Sequence, residues 1–222
     1  MAAQIAEPAR ARMLTYLMAG DAASAGELAR AAGVSASTAS AHLARLQSDG
    51  LVVAQARGRH RYFRLADEDV LRVLEALALV AERGAHDQAW SSPARQRLRC
   101  ARSCYGHLAG RLGVQMLQVL LAQGWLAAAS GGYALTPAGR AGLAGVGLEP
   151  ALVDTLARAP VAGTPCLDWS ERRDHLAGPL ATALLRHCLA QGWLRRREGE
   201  RSLALTPPGR LALARWVPLD MD

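Results

Sequence analysis

The chain has no lysine and no asparagine, and phenylalanine and isoleucine occur once each. With strand formers this scarce, long sheets are excluded. No apolar run reaches the roughly 18 residues that a membrane-spanning helix needs, and residues 1–12, which include Glu7, lack the apolar stretch of a signal peptide. The four cysteines, in a chain without an export signal, read as thiols and not as a disulfide framework. Only 20% of the 222 residues are charged while 51% are hydrophobic, which excludes a disordered chain. Also missing are a glycine-rich phosphate loop, a nucleophile elbow and a two-carboxylate motif, so the chain does not read as an enzyme. What is abundant is alanine (46) and leucine (35), together more than a third of the chain, and both favour helices. The expectation is a mainly α, cytoplasmic protein with no membrane partner.

The formal net charge is +7, carried by 26 arginines against 19 acids. Position says more than the total. Residues 1–90 hold ten arginines and ten acids, yet residues 30–64 carry six arginines against Asp49 alone, and residues 65–90 carry six acids against Arg72 and Arg83. A local basic stretch followed by an acidic helix points to nucleic acid at the former. The arginine surplus of the second half has a blander source in GC-rich coding.

Helix signals divide the first ninety residues. Ala6 to Met18 places apolar residues near helical spacing, Ala25 to Ala32 is closed by Gly33, and Ser35 is suited to cap a helix from about Ala36 to Ser48. Ala39, Leu43 and Leu46 then share one face. Helix, glycine turn, helix is the helix-turn-helix pattern, whose second helix can enter the major groove. Two short extended arms, residues 51–55 and 60–65, flank a tip at Ala56-Arg57-Gly58-Arg59, so four arginines fall within residues 57–64 of a β-hairpin. The spacing predicts a winged helix-turn-helix.

The run Val34-Ser35-Ala36-Ser37-Thr38-Ala39-Ser40-Ala41-His42-Leu43, then Asp49-Gly50-Leu51-Val52 and Gly58-Arg59-His60-Arg61-Tyr62-Phe63-Arg64-Leu65, resembles the ArsR/SmtB (arsenic-repressor) family of bacterial metal- and stress-responsive regulators. The segment from Glu7 to Leu14 is similar to that family's first helix, and the resemblance spans roughly residues 5–83. It implies a homodimeric DNA-binding repressor whose operator affinity falls when an inducer binds. Two departures stand out. Ala36 and Ala41 replace the glutamine and first histidine frequent in the family's recognition helix, leaving fewer groups to read base edges. The family's cysteine motif would fall near Ser24 to Leu28, where there is no cysteine, and the helix Asp67 to Arg83 lacks His and Cys, with His86 just beyond. The resemblance therefore carries the fold but not the metal site. The stripe Val70, Val73, Leu74, Leu77 and Val80 suits a dimer seam or an intrachain core.

The second half repeats itself. Residues 107–126 and 175–194 are identical at 12 of 20 positions, at an offset of 68, and Leu135-Thr136-Pro137 returns as Leu205-Thr206-Pro207. Each unit reads as helix, Gly-Trp-Leu turn, short hairpin and a helix begun by Thr-Pro. The expected fold class is mainly α with short β-hairpin wings. An N-terminal winged helix-turn-helix domain for DNA binding and dimerisation (1–90) precedes a C-terminal sensory domain (95–222) of two degenerate winged-helix-like repeats, 95–148 and 160–222.

For double-stranded DNA with a two-fold operator, the candidate contacts are Ser35, Ser37, Thr38, Ser40, His42 and Arg45 on the recognition helix and Arg57, Arg59 and Arg61 on the wing. For an effector, the candidates are the segments that differ between the repeats: Cys100, Cys104, Tyr105 and His107 in one, Cys166, Trp169, Arg172 and Arg173 in the other. If helical, Cys100, Cys104 and His107 line one face, and thiols with imidazole suit a soft metal. A small organic effector held by Tyr105 and Trp169, with Arg172 or Arg173 pairing an acidic group, is the other option. A fixed offset of 68 sets Cys166 against Leu98 and Cys188 against Leu120, as core positions, and reads His107 and His175 as a structural pair. A non-specific architectural DNA-binding protein and a Cys-dependent enzyme using Cys104, His107 and Asp168 are the alternatives to a regulator.

Overall fold

Short polar caps set the helix boundaries of the first unit. Ser24 and Glu27 form a capping box at the start of α3 (Ala25–Ala32): the Glu27 N–H donates to Ser24 Oγ (3.3 Å) and the Ser24 N–H to Glu27 Oε2 (2.7 Å). Gly33 ends that helix at φ 69°, a left-handed turn that glycine adopts freely. Ser35 then starts α4 (Ala36–Ser48), its Oγ accepting from the Thr38 N–H at 3.2 Å. Before them lie α1 (Ala2–Ile5), α2 (Pro8–Ala19) and β1 (Ala23–Ser24); after them come β2 (Val52–Arg57), β3 (His60–Leu65) and α5 (Glu68–Ala81). The sheet order is β1-β3-β2, antiparallel throughout, and the wing ladder runs from Val52↔Leu65 to Arg57↔His60. Met13, Leu14, Leu28, Leu43 and Leu46 are fully buried beneath the helix-turn-helix. Truncating such a leucine to alanine costs about 2–5 kcal/mol.

The computed structural model describes residues 2–19, 22–57, 60–81, 93–197 and 200–219. They divide into two compact units, one of Met1–His86 with Glu198–Arg201, the other of Asp87–Arg197 with Ser202–Asp222.

The second unit starts with α6 (Pro93–Cys100). Its first copy of the repeat is β4 (Arg102–Cys104), β5 (His107–Ala109), α7 (Arg111–Ala122), β6 (Leu126–Ala129), β7 (Gly132–Leu135) and α8 (Pro137–Val146), followed by α9 (Pro150–Arg158). The second copy is β8 (Thr164–Leu167), β9 (Asp174–Ala177), α10 (Pro179–Ala190), β10 (Leu194–Arg196), β11 (Leu203–Leu205) and α11 (Pro207–Leu213). All four pairs are antiparallel hairpins. The caps repeat as the sequence does: Thr136 Oγ1 accepts from the Gly139 N–H and Thr206 Oγ1 from the Gly209 N–H, both at 3.0 Å.

Each copy completes the other. Helix α7 packs on β9 and α10 packs on β5. The leading hairpin of each copy also meets the trailing hairpin of its twin: Tyr133 N–H donates to Gly163 O and Leu203 N–H to Ala101 O, each at 2.8 Å. This exchange builds one continuous core, in which Leu112, Leu120, Leu180 and Leu184 are almost completely buried. At its centre lie the two leading hairpins, β4–β5 and β8–β9.

Those hairpins correct two expectations. Helix α6 ends at Cys100 and the chain turns into β4, so Cys100, Cys104 and His107 do not share a helical face. The reason is the tight loop Tyr105-Gly106, with Tyr105 at φ 56°, which pairs Cys104 directly with His107 across the ladder. In the second copy Cys166 pairs with His175 in the same way. Cys166 is thus the counterpart of Cys104, at an offset of 62, and not of Leu98; the second hairpin carries six more loop residues, which a fixed offset of 68 cannot register.

Candidate functional site

The first unit turns a row of short polar side chains outward. On α4, Ser37, Thr38, Ser40 and Arg45 are exposed, opposite the buried face of Ala39, Leu43 and Leu46. Ser35 is exposed too, and its hydroxyl lies 2.9 Å from Ser37 Oγ and 2.8 Å from Thr38 Oγ1, so the three form one hydroxyl cluster at the positive end of the helix. Ser40 Oγ donates to Ala36 O at 2.9 Å. His42 is tied inward: its Nδ1 lies 3.4 Å from Arg10 and 3.7 Å from Glu7 Oε2. Backbone N–H groups of Arg10 and Ala9 hold the Glu7 carboxyl below its usual range. His42 therefore braces α4 against α2.

On the wing, Arg61 is exposed and donates to Gln47 Oε1 on α4 at 3.2 Å, with its guanidinium 5.3 Å from the Phe63 ring. Arg57 is described by its backbone alone, and Arg59 and His86 lie outside the described residues. Recognition helix and wing root thus present hydroxyls and arginine on one molecular unit. Hydroxyl and guanidinium groups are of the chemical types that donate to phosphate oxygens and base edges.

The second unit turns its polar residues inward. Arg102 is completely buried, its guanidinium 3.0 Å from Asp168 Oδ2 and 4.9 Å from the Trp169 ring, and it donates to Leu98 O (3.2 Å) and Ser170 Oγ (3.0 Å). Asp168 comes from the longer loop of the second hairpin. Its Oδ1 accepts from the backbone N–H of Ser170 and Glu171 and from Ser170 Oγ; its Oδ2 accepts from the Gly110 N–H at 2.7 Å. Burial alone would raise this carboxyl, but Arg102, His175 and Ser170 outweigh it and hold the group well below the usual carboxylate range. Asp168 Oδ2 also lies 3.2 Å from His175 Nδ1, and His175 Nε2 lies 3.1 Å from His107 Nε2. For His175 burial pulls the pKa down, while Asp168 and Cys104 pull it up and prevail.

Of the residues expected at an effector site, the structure brings Cys104, His107 and Cys166 together in the interior, with Trp169 beneath Arg102. It does not bring in Cys100, which is half-buried at the end of α6, nor Tyr105, Arg172 and Arg173, which are exposed on hairpin loops. His175 and Arg102 are the members that sequence reasoning did not place at the site, and it set Asp168 beside Cys104 and His107 only as part of the enzyme alternative. Cys188 stands apart, its thiol pushed up to about 12 by burial.

A family model described as a helix-turn-helix domain matches residues 5–54. YdfF of Bacillus subtilis, an uncharacterized HTH-type transcriptional regulator, is 36% identical over 213 residues, covering 96% of this chain and 93% of its own. The HTH-type transcriptional regulator Rv0324 of Mycobacterium tuberculosis is 44% identical over 55 residues, 25% of this chain and 24% of that one. Among solved structures, the homodimeric winged helix-turn-helix DNA-binding domain of Mb0332 from Mycobacterium bovis (fragment 1–100) is 30% identical, covers 41% of this chain and 81% of that one, and has a TM-score of 0.34. Among the described residues no helix is long and apolar enough to cross a membrane. With a relative similar along nearly its whole length, the chain belongs to the HTH-type transcriptional regulators.

Proposed function

We propose that this DNA-binding transcriptional regulator works as a homodimeric repressor that leaves its operator when an effector engages the second unit. The observation that carries the DNA reading is the outward row Ser37, Thr38, Ser40 and Arg45, continued by Arg61. In this reading the hydroxyls and arginines contact phosphates and base edges, Ser35 shapes the start of the helix, and His42 sets its angle. Arg57 and Arg59 extend the same basic wing.

The dimer reading is supported by α5. Leu71 and Leu74 are buried in the unit's own core, whereas Val73, Leu77 and Val80 are 46%, 45% and 56% exposed. Large apolar side chains at that spacing form a stripe that a second copy of the chain would cover. Two recognition helices would then meet major grooves about 34–36 Å apart. Domain roles follow: residues 1–90 bind DNA and dimerise, and residues 95–222 sense the effector.

Footprinting on the chain's own upstream DNA tests the reading. A protected inverted repeat is the expected result. Uniform coverage would favour a non-specific architectural protein, and absence of binding would overturn both.

A further inference from the structure

The interior of the second unit holds a group that the regulatory reading does not explain. Cys104 and His107 from one leading hairpin, and Cys166 and His175 from the other, place Sγ, Nε2 or Nδ1 atoms within 4.8 Å of one another, and all four residues are buried. It is the one such group of three or more metal-ligand side chains among the described residues.

We propose that these four residues form a closed, four-coordinate site for a divalent thiophilic cation, zinc before others. Donor type is the first support: thiolate with imidazole is the Cys2His2 set that selects such metals, in tetrahedral geometry. Spacing is the second. Nitrogens bound at about 2.0–2.1 Å to one tetrahedral ion lie about 3.3 Å apart; the two Nε2 atoms here lie 3.1 Å apart.

Orientation is the third. Asp168 Oδ2 sits 3.2 Å from His175 Nδ1. The carboxylate charge at that distance favours the proton on Nδ1, which leaves the Nε2 lone pair facing the cluster. A carboxylate behind a histidine is the usual support of a metal-binding imidazole. Asp168 is itself held by Arg102, Ser170 and the Gly110 N–H. Charge is the fourth. Two thiolates neutralise a divalent ion, and Asp168 is already balanced by Arg102, so the buried assembly is neutral.

Four protein ligands leave no open position, which marks a structural or regulatory centre and not a catalytic one. Each hairpin gives one Cys and one His, so the ion would tie the two repeats together. This assignment stands on the geometry of the second unit alone and does not depend on DNA binding.

Purified full-length protein, reduced and stripped by chelator, is titrated with cobalt(II) and with zinc(II). One equivalent per chain is expected, with the intense visible absorption of tetrahedral cobalt and a near-ultraviolet thiolate band, both bleached by zinc. Cys104→Ser and Cys166→Ser should each lose most of the thiolate band, Asp168→Asn should weaken affinity about 10–100-fold, and Cys100→Ser and Cys188→Ser should change nothing. Circular dichroism of each variant separates misfolding from ligand loss, and the unmutated chain decides the matter if variants unfold. Weak octahedral cobalt spectra in the unmutated chain, stoichiometry well below one, or a Cys104–Cys166 disulfide in place of bound metal in freshly purified protein before reduction would overturn the site.

Discussion

The two units are assembled from the same parts, short antiparallel hairpins and helices capped by Ser or Thr, but they point their polar side chains in opposite directions. In the first, Ser37, Thr38, Ser40, Arg45 and Arg61 are exposed, and among the described residues the interior behind them is apolar apart from Arg10, Glu75 and Arg201. In the second, Arg102, Asp168, Ser170, His107 and His175 are buried. A polar group at the surface exchanges water for a partner at little cost, which suits a large, reversibly bound polyanion. A polar group in the interior is tolerated only when its partners are built in, which suits a centre that responds to one small occupant. The same vocabulary thus yields one outward polar surface and one inward polar centre.

The comparison breaks most sharply at Arg102. Arg102→Ala leaves Asp168 as an uncompensated buried charge, and about 3–5 kcal/mol of stability should be lost from the second unit, seen as a lowered chemical-denaturation midpoint. Arg45→Ala should leave stability within about 0.5 kcal/mol. It should weaken DNA binding and lower the salt dependence of affinity by about one phosphate contact, measured by titration at several salt concentrations.

Next in size are two matched substitutions that test the internal symmetry. A Cβ at Gly139 would run into the Trp125 carbonyl, and one at Gly209 into the Trp193 carbonyl. Gly139→Ala and Gly209→Ala should each cost about 1–3 kcal/mol. Unequal losses would show that the copies have diverged in rigidity. Thr136→Ala and Thr206→Ala, each removing one cap, should cost about 1 kcal/mol apiece.

Acidity sharpens the contrast further. Asp168 has a folded pKa below its unfolded value, so its contribution is complete above about pH 4 and is lost as pH falls toward the folded value. His175 has a folded pKa above its unfolded value, so its contribution is complete below about pH 6.5 and is lost as pH rises through the folded value. Metal-free protein should therefore show greatest second-unit stability between these limits, in denaturant titrations across the range. The smallest effect is at the surface: breaking the exposed Arg140–Asp154 pair (2.7 Å) by Asp154→Asn should change stability by about 0.2–1 kcal/mol.

Much of the first unit could be read from residue order. Ser24, Gly33 and Ser35 act through their immediate neighbours, so α3 and α4 begin and end where local rules place them. The wing followed from two short extended arms around a glycine tip. The centre of the second unit was hidden for two physical reasons. Its first hairpin turns on Tyr105-Gly106, with tyrosine in a left-handed conformation usually given to Gly or Asn, so Gly106 alone marked a turn between Cys104 and His107. Its second hairpin has a longer loop, and that insertion displaced Cys166 from its true counterpart. Identity between copies made His107 and His175 look like scaffold, although a site shared by two repeats is a place where identical residues do joint work. Asp168 and Arg102 are distant in sequence, and only the fold joins them.

The most direct test joins the two units. Fluorescence anisotropy of labelled operator DNA, titrated with the full chain either zinc-loaded or chelator-stripped, measures whether occupancy of the interior centre sets the affinity of the outward surface. The account predicts dissociation constants that differ at least about tenfold, roughly 1.4 kcal/mol of coupling, with the difference abolished in Cys104→Ser. Equal affinities for the two forms, with metal content verified, would contradict it.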